Sequence, residues 1–378
     1  MRKVWIVLGL MAAVIAVVAI SFIALNWERP LGPALPEGGE LASSNTLEAT
    51  RTWEAMPTPV AMTTAASAPT EDPAAATQTY AALQDLSKPT RTPSPAPTPF
   101  CGGPEKLVVL AIGTDSRPDN YLYGLGDAIR IVRADFVAKK LSVLSIPRDL
   151  WVEIPKLQAH GITHGKLSQA FSWGTEGMGY YQSDAGGAGL LALTLEHNFG
   201  VQFDRYFTVN MQTFKRMIGS IGGINIYVAT TLDGRTDFRQ PKQAKYGYFE
   251  QGYHVLDGGE ALMYARIRKM DNDFWRQKRQ TQLLKEIRKR VLSPDIIDAV
   301  PDLIEAFRGR VLTDLSPEEI TQLSCLVMSL DASDISYSML EQDLLTSFTT
   351  QSGQAALRGD PDQIGNLLQN FIAGRAPR

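Results

Sequence analysis

Cysteine and histidine are scarce in this chain: 2 and 4 in 378 residues. Cys101 and Cys325 are too few and too far apart for a zinc framework, whose ligands recur at short spacings. His160 and His164 stand four apart, but Gly161 and Gly165 break any helix that would align them, and no third ligand is evident. Charge of one sign is lacking as well. A formal net charge of −3 rules out recognition of a nucleic acid or other polyanion through bulk electrostatics, so any basic site must be local. Neither a GxGxxG nor a Walker spacing occurs, and Gly186-Gly-Ala-Gly189 reads as a turn entering a helix. No internal repeat is present. A Ser–His–Asp triad is recognised by geometry, so spacing nominates none.

What is present divides the chain into regions. Arg2 and Lys3 precede an uncharged run from Val4 to Leu25, close to the ~20 residues that a spanning helix needs. A cleaved signal peptide would have a shorter apolar region and a small-x-small site, and Phe22-Ile-Ala-Leu-Asn26 has no such site. Residues 1–27 are therefore expected to be a short cytoplasmic tip and a retained transmembrane signal anchor. The two positive charges before the span place the N-terminus inside, the chain in the cell membrane and everything after it outside the cytoplasm. Residues 28–103 read as a linker. Pro, Ala, Thr, Ser and Gly dominate Pro30–Pro99, which cannot bury enough apolar area to offset its ordering entropy. It is expected as a semi-extended, disordered stalk with transient helices at most over 46–56 and 74–86.

After Gly103 the pattern becomes globular. Strands are expected over 107–112, 128–136, 141–146, 151–154, 205–209 and 224–228, with helices over 166–173, 189–199, 212–221, 257–265 and 273–292. Strands alternating with helices predict an α/β fold, a mostly β central sheet flanked by helices. Residues 104–292 form the expected catalytic domain. Residues 293–378 form a C-terminal extension of helices and short strands packed on it, with helices over 301–308, 316–330 and 361–373.

Chemistry clusters where apolar runs stop. Leu107–Ile112 runs into Gly113-Thr-Asp-Ser-Arg117, and Leu141–Ile146 into Pro147-Arg-Asp149. In an open α/β sheet, residues just past the strands' carboxyl ends line the ligand crevice. Asp115 and Asp127 stand near a turn on successive strands, where two carboxylates suit a hard cation or simply serve the turn. Arg276 and Gln280 share one helical face with Asp273, Leu283 and Ile287, a stripe that is polar first and apolar later. Arg266 and Arg268 point to one side if the helix ends near Tyr264 and the chain then extends. Lys278, Arg279, Lys285 and Arg288–Arg290 read as a solvated face. Arginine forks beside paired carboxylates are what a bound pyrophosphate needs, so the domain reads as phosphate-handling. In an oxidising compartment Cys101 and Cys325 would pair; otherwise they are unrelated thiols.

These segments in this order resemble the LytR–CpsA–Psr family of cell-envelope proteins. The resemblance rests on Leu110-Ala-Ile-Gly-Thr-Asp-Ser-Arg117, Leu144-Ser-Ile-Pro-Arg-Asp149, Lys166-Leu-Ser-Gln-Ala170, Gly222-Gly-Ile-Asn-Ile226, Leu256–Arg268 and Asp271–Gln280. It implies transfer of a glycopolymer from a polyprenyl-pyrophosphate carrier to a peptidoglycan hydroxyl, with the lipid tail in an apolar pocket beside the sheet. It also implies Mg²⁺ or Mn²⁺ at Asp115 and Asp127. Arg148, Lys166, Arg266, Arg268, Arg276 and Gln280 would grip the head group, with Arg117 and Asp273 as further catalytic candidates and Asp273 as a base. One position departs: Leu125 stands where the family usually has an arginine. Arg130 and Arg133 are near in sequence but belong further along the strand. A protein that holds lipid-linked glycan without transferring it, and a pyrophosphatase that hydrolyses the carrier, are the other expectations compatible with these residues.

Overall fold

In a computed structural model the chain is described at residues 32–36, 98–117, 120–268, 272–293, 296, 299–307 and 310–375. The apolar run at 4–25 and the helices expected over 46–56 and 74–86 lie outside the described residues. Among the described residues, no helix is long and apolar enough to cross a membrane.

The centre is a six-stranded sheet. Strands β1 (Lys106–Thr114), β2 (Gly126–Asp135) and β3 (Lys140–Ile146) form an antiparallel meander. The β2–β3 hairpin closes because Asp135 Oδ1 accepts the backbone N–H groups of Val137 and Ala138. Strand β4 (Trp151–Glu153) pairs with β5 (His164–Lys166) in a separate ribbon. Strand β6 (Arg205–Asn210) lies parallel to β1 after two helices, α1 (Leu167–Trp173) and α2 (Gly186–Phe199). Next come α3 (Met211–Ser220) and β7 (Ile224–Val228). After the short pair β8 (Leu232–Asp233) and β9 (Tyr248–Phe249), β10 (Gly252–Leu256) pairs antiparallel with β7. Helices α4 (Gly258–Arg266), α5 (Asp273–Val291) and α6 (Val300–Phe307) follow. The remainder comprises β11 (Val311–Thr313), α7 (Pro317–Ser329), β12 (Ile335–Met339), the hairpin β13 (Thr346–Thr349) and β14 (Ala355–Arg358), and α8 (Pro361–Ile372). The sheet order is β11-β6-β1-β2-β3-β12, so both edge strands come from beyond residue 292.

Strand alternation decides which side chains meet which layer. Val108, Leu110 and Ile112 of β1, with Ile129 and Ile131 of β2, face α1, α2 and α8. Leu110 and Ile131 are wholly buried, each contributing about 1.5–3 kcal/mol relative to exposure. Leu107 and Val109 face the other way, onto Leu326 of α7. A third cluster joins the two-stranded β7–β10 sheet to α3, α4 and α5 through Ile224, Ile226, Tyr264 and Leu283. The short described piece at 32–36 rests on the domain: the Leu35 N–H donates to Asp314 Oδ2 at 3.3 Å.

Cys101 and Cys325 are joined in a disulfide, with Cα atoms 6.0 Å apart and a sequence separation of 224. It ties the turn before β1 to α7. Closing so long a loop removes denatured-state entropy worth about 5 kcal/mol in the chain-entropy picture, though measured gains are often about 2–4 kcal/mol. Cys325→Ser is expected to lower the unfolding free energy by that smaller amount, read by urea unfolding without reductant. An unchanged midpoint would refute a stabilising role for this bond.

Candidate functional site

Antiparallel pairing of β1 with β2 brings the end of one strand beside the start of the next: Thr114 is in register with Gly126. Asp115 and Asp127 thereby reach the same end of the sheet, and the turn after β3 delivers Arg148 and Asp149 there. The loop between β1 and β2 is held by Asp115 itself, whose Oδ1 accepts the Leu125 N–H at 2.6 Å while its own N–H donates to the Leu125 carbonyl at 3.1 Å. Gly124 permits this closure. Its φ is +147°, and a Cβ there would meet Thr114 Oγ1 at 2.6 Å and the Ser116 nitrogen at 2.8 Å.

A cavity of about 750 Å³ opens at this end, between the sheet and the layer of α3, α4 and α5. Asp115, Asp127, Arg148, Arg266, Arg268, Arg276 and Gln280 all line it. Its other walls are apolar, with Val132, Val143, Phe207 and Val209 from the sheet facing Phe214 and Leu283 from the helices. The stripe along α5 works as the sequence suggests: Arg276 and Gln280 line the polar part, and Leu283 and Ile287 the apolar part.

Asp149 is the hub that orients the cations. Its carboxylate accepts from Lys166 Nζ at 3.1 Å and Arg268 Nη2 at 3.3 Å, and lies 3.7 Å from Arg148 Nε. Arg148 also pairs with Asp127 through its Nη1. Burial pulls the Arg148 pKa down, but Asp127 and Asp149 outweigh it and hold the guanidinium above its ordinary value. Lys166 does not line the cavity and acts on it through Asp149. Sequence reasoning passed over Asp149 as a site residue, although its place directly after Arg148 at a strand end was the available signal.

Arg276 Nη2 lies 2.6 Å from Asp273 Oδ1, an ion pair whose angle falls outside hydrogen-bonding geometry, and donates to the Asp127 carbonyl at 3.2 Å. The two side chains are 4% and 8% exposed. Burial, with Arg148 and Arg268 nearby, pushes the Arg276 pKa below its ordinary value against the pull of Asp273 and Asp127. Asp273 stands behind Arg276, away from the cavity lining, and its second oxygen accepts from Gln277 Nε2 at 2.9 Å. Arg117 is exposed on the loop after β1 and is not among the residues lining the cavity.

Two expectations require correction. Helix α4 does not end near Tyr264 but runs to Arg266; the chain extends at Ile267, with φ −55° and ψ 130°. The extended residue lies between the two arginines, so both still line the cavity. Arg279, read as solvated, is 6% exposed, and its Nη2 donates to the Ile267 carbonyl, fixing that bend. Arg288 and Arg290 are likewise engaged, by the carbonyls of Leu330 and Ile221. A basic helix face is solvated only where no neighbouring carbonyl needs a donor, which depends on elements far away in sequence.

The mouth carries two carboxylates, the donor type that a hard divalent cation takes, and each already has one protein partner, the Leu125 N–H for Asp115 and Arg148 for Asp127. Among the described residues no group of three or more His, Cys, Asp or Glu gathers, so the protein itself offers two carboxylates, Asp115 and Asp127. Such ions commonly complete their shell with phosphate oxygens and water. Geometrically, the cavity suits an amphiphile with an anionic head and an apolar tail.

Fold and site together define a layered α/β protein with a cationic mouth opening onto an apolar slot. The chain belongs to the LytR_cpsA_psr family, whose model matches residues 74–370. It is 31% identical over 212 residues to the polyisoprenyl-teichoic acid–peptidoglycan teichoic acid transferase TagV of Bacillus subtilis, covering 55% of this chain and 49% of that protein. TagU of Enterococcus faecalis is 27% identical over 273 residues, 71% of this chain and 79% of that one. The chain thus spans about half the length of the first of these relatives. The crystal structure of B. subtilis TagV superposes with a TM-score of 0.54 at 24% identity, covering 71% of this chain and 98% of that one. A structure of TagT bound to LIIa-WTA gives 0.51 at 23%, covering 71% and 91%. At these identities the superpositions establish the shared fold.

Proposed function

We propose that this protein is a membrane-anchored phosphotransferase, acting outside the cytoplasm, that moves a glycopolymer from a polyprenyl-pyrophosphate carrier to peptidoglycan. The observation that carries the reading is one cavity whose mouth holds Arg148, Arg266, Arg268 and Arg276 and whose depth is apolar. Relatives named as teichoic acid–peptidoglycan transferases support it. The uncharged run at 4–25 supports the anchor.

In this reading the tail enters the slot and the pyrophosphate stays among the arginines. The acceptor hydroxyl oxygen attacks the glycan-side phosphorus, and the bond from that phosphorus to the bridging oxygen breaks. The carrier leaves as its monophosphate, and the hydroxyl proton passes to solvent at the open mouth. Asp115 and Asp127 would hold Mg²⁺ or Mn²⁺, which supplies charge neutralisation at the phosphoryl oxygens. Asp149, itself held by Lys166, keeps Arg148 and Arg268 aimed at the head group before substrate arrives, so little reorganisation is needed in the transition state. Asp273 holds Arg276 in place; its burial behind that guanidinium suits positioning better than proton transfer.

The test is a reconstituted assay with purified full-length protein, labelled polyprenyl-pyrophosphate glycan and peptidoglycan. Label is expected on the peptidoglycan, with one carrier monophosphate released per transfer. Release of phosphorylated glycan without any need for acceptor would make the protein a pyrophosphatase. Binding with no turnover would make it a lipid-linked glycan holder.

A further inference from the structure

Arg130 lies in the wall of the same cavity, buried and, among the described residues, without a carboxylate partner. Ala128, Arg130 and Val132 of β2 all line the cavity, and Arg130 is only 7% exposed. Its Nη1 donates to Ser145 Oγ at 2.6 Å, directly across the ladder on β3, and to Thr281 Oγ1 at 3.3 Å on α5. Its Nη2 is buried and has no hydrogen-bond partner. Among the described residues no carboxylate pairs with it. Tyr337, which also lines the cavity, is the one titrating neighbour whose field favours its charge, and burial pushes its pKa down to about 10, leaving it cationic at neutral pH.

A buried cation without a counter-ion is costly, and an apolar side chain of similar volume would fill a cavity wall without that cost. Packing therefore does not account for arginine here. Its position does. Arg130 shares a narrow crevice with Asp127, Arg276, Gln277 and Gln280, while Val132, two residues further along the strand, belongs to the apolar wall. Three residues of strand span roughly 10 Å, so its backbone lies that much deeper than Asp127. The guanidinium marks the neck between mouth and slot.

We propose that Arg130 binds the lipid-side phosphoryl group of the carrier, the one that departs with the lipid, and makes the slot select a phosphorylated amphiphile over a neutral one. This rests on the carrier reading above and deepens it. In the transfer step that phosphoryl group receives the electron pair of the breaking bond, so a cation at the neck faces the charge that develops on the leaving group.

The experiment compares binding of farnesyl monophosphate, farnesol and inorganic phosphate to the full-length protein, wild type and Arg130→Met. Wild type is expected to prefer farnesyl monophosphate to farnesol. Arg130→Met should lose roughly ten- to a hundredfold in affinity for farnesyl monophosphate, the worth of one charge-assisted hydrogen bond, with farnesol unchanged. Its ligand-free melting temperature should equal or exceed that of wild type, because an unpaired charge has gone; a purely structural arginine would instead lower it. Should Arg130→Met fail to fold, Arg130→Gln removes the charge while keeping contacts to Ser145 and Thr281 within reach, and the same loss is expected. An intact preference in a folded variant overturns the assignment while leaving the carrier reading standing. Inorganic phosphate binding as tightly as the lipid, with equal dependence on Arg130, overturns it in favour of a free-anion site. Wild type that binds neither lipid overturns the carrier reading and this one together.

Discussion

Arg266→Ala is expected to lower transfer from polyprenyl-pyrophosphate by roughly a hundred- to a thousandfold while leaving stability almost unchanged, an effect of the size seen when one preorganised donor is removed. The reason lies in how differently the arginines at the mouth are engaged. Arg148 and Arg268 are tied to Asp127 and Asp149, so alanine at either would free a carboxylate as well as remove a cation. Arg266 is exposed at the cavity, the last residue of α4, and its side chain makes no hydrogen bond or ion pair among the described residues. Exposed substitutions with no partners typically shift stability by at most about 0.5 kcal/mol. Steady-state transfer rates and a melting curve on the same preparation check both halves. Wild-type turnover in the variant would remove Arg266 from the head-group set. Asp115→Ala should also abolish turnover, but it additionally releases the Leu125 N–H, so its loss would be harder to assign.

Asp273→Ala is expected to have the opposite signature, a loss of about 3–5 kcal/mol in unfolding free energy, because it leaves the Arg276 charge buried and unpaired. Gln277 would lose its acceptor at the same time. The informative companion is Asp273→Leu combined with Arg276→Met. Replacing both members of a buried pair by apolar groups of similar volume is often neutral or stabilising, so the double variant should regain most of the lost stability. Turnover should not return with it, since the guanidinium lining the cavity and holding the Asp127 carbonyl is gone. Urea unfolding separates the outcomes. A double variant as unstable as Asp273→Ala would mean that the pair contributes more than its mutual neutralisation. Turnover restored in the double variant would show that Arg276 is dispensable to chemistry.

Position 125 illustrates how local sequence and tertiary placement combine. Leucine there carries no charge, and its backbone N–H, which any residue but proline would offer, holds Asp115. Arg130 and Arg133, both near in sequence, have unlike fates. Arg133 is bound to Asp135 and to the Ile372 carbonyl, whereas Arg130 enters the cavity wall. Their odd spacing along β2 puts them on opposite faces of the sheet, and what each face meets, an α8 carbonyl for Arg133 and the α5 surface for Arg130, was decided by the tertiary structure.

Period and punctuation carried much of the architecture. The uninterrupted apolar run of β1 was legible, and the Asn272 cap whose Oδ1 accepts the N–H of Phe274 and Trp275 and the Ser316–Pro317–Glu319 start of α7 are further local devices whose energetics involve residues only a few positions apart. The strand ends themselves located Asp115, Asp127 and Arg148, and helical spacing placed Arg276 and Gln280 on one face. The sequence alone thus determined the order of the main strands and helices up to residue 292, though not β5, β8, β9 or β10, together with the polar-to-apolar stripe of α5 and most of the residues at the cavity mouth.

Tertiary structure decided which charges are partnered. Asp149 became a hub only when β5, the α4–α5 bend and the turn after β3 met, and Arg279 became buried only because the Ile267 carbonyl needed a donor. The sheet's edges, too, were settled by segments far down the chain, β11 and β12. Hydrophobic period is a property of neighbours along the chain, whereas the cost of a buried charge depends on what surrounds it in space. That difference is why the outline of the slot was legible beforehand and the electrostatics of its mouth and neck were not.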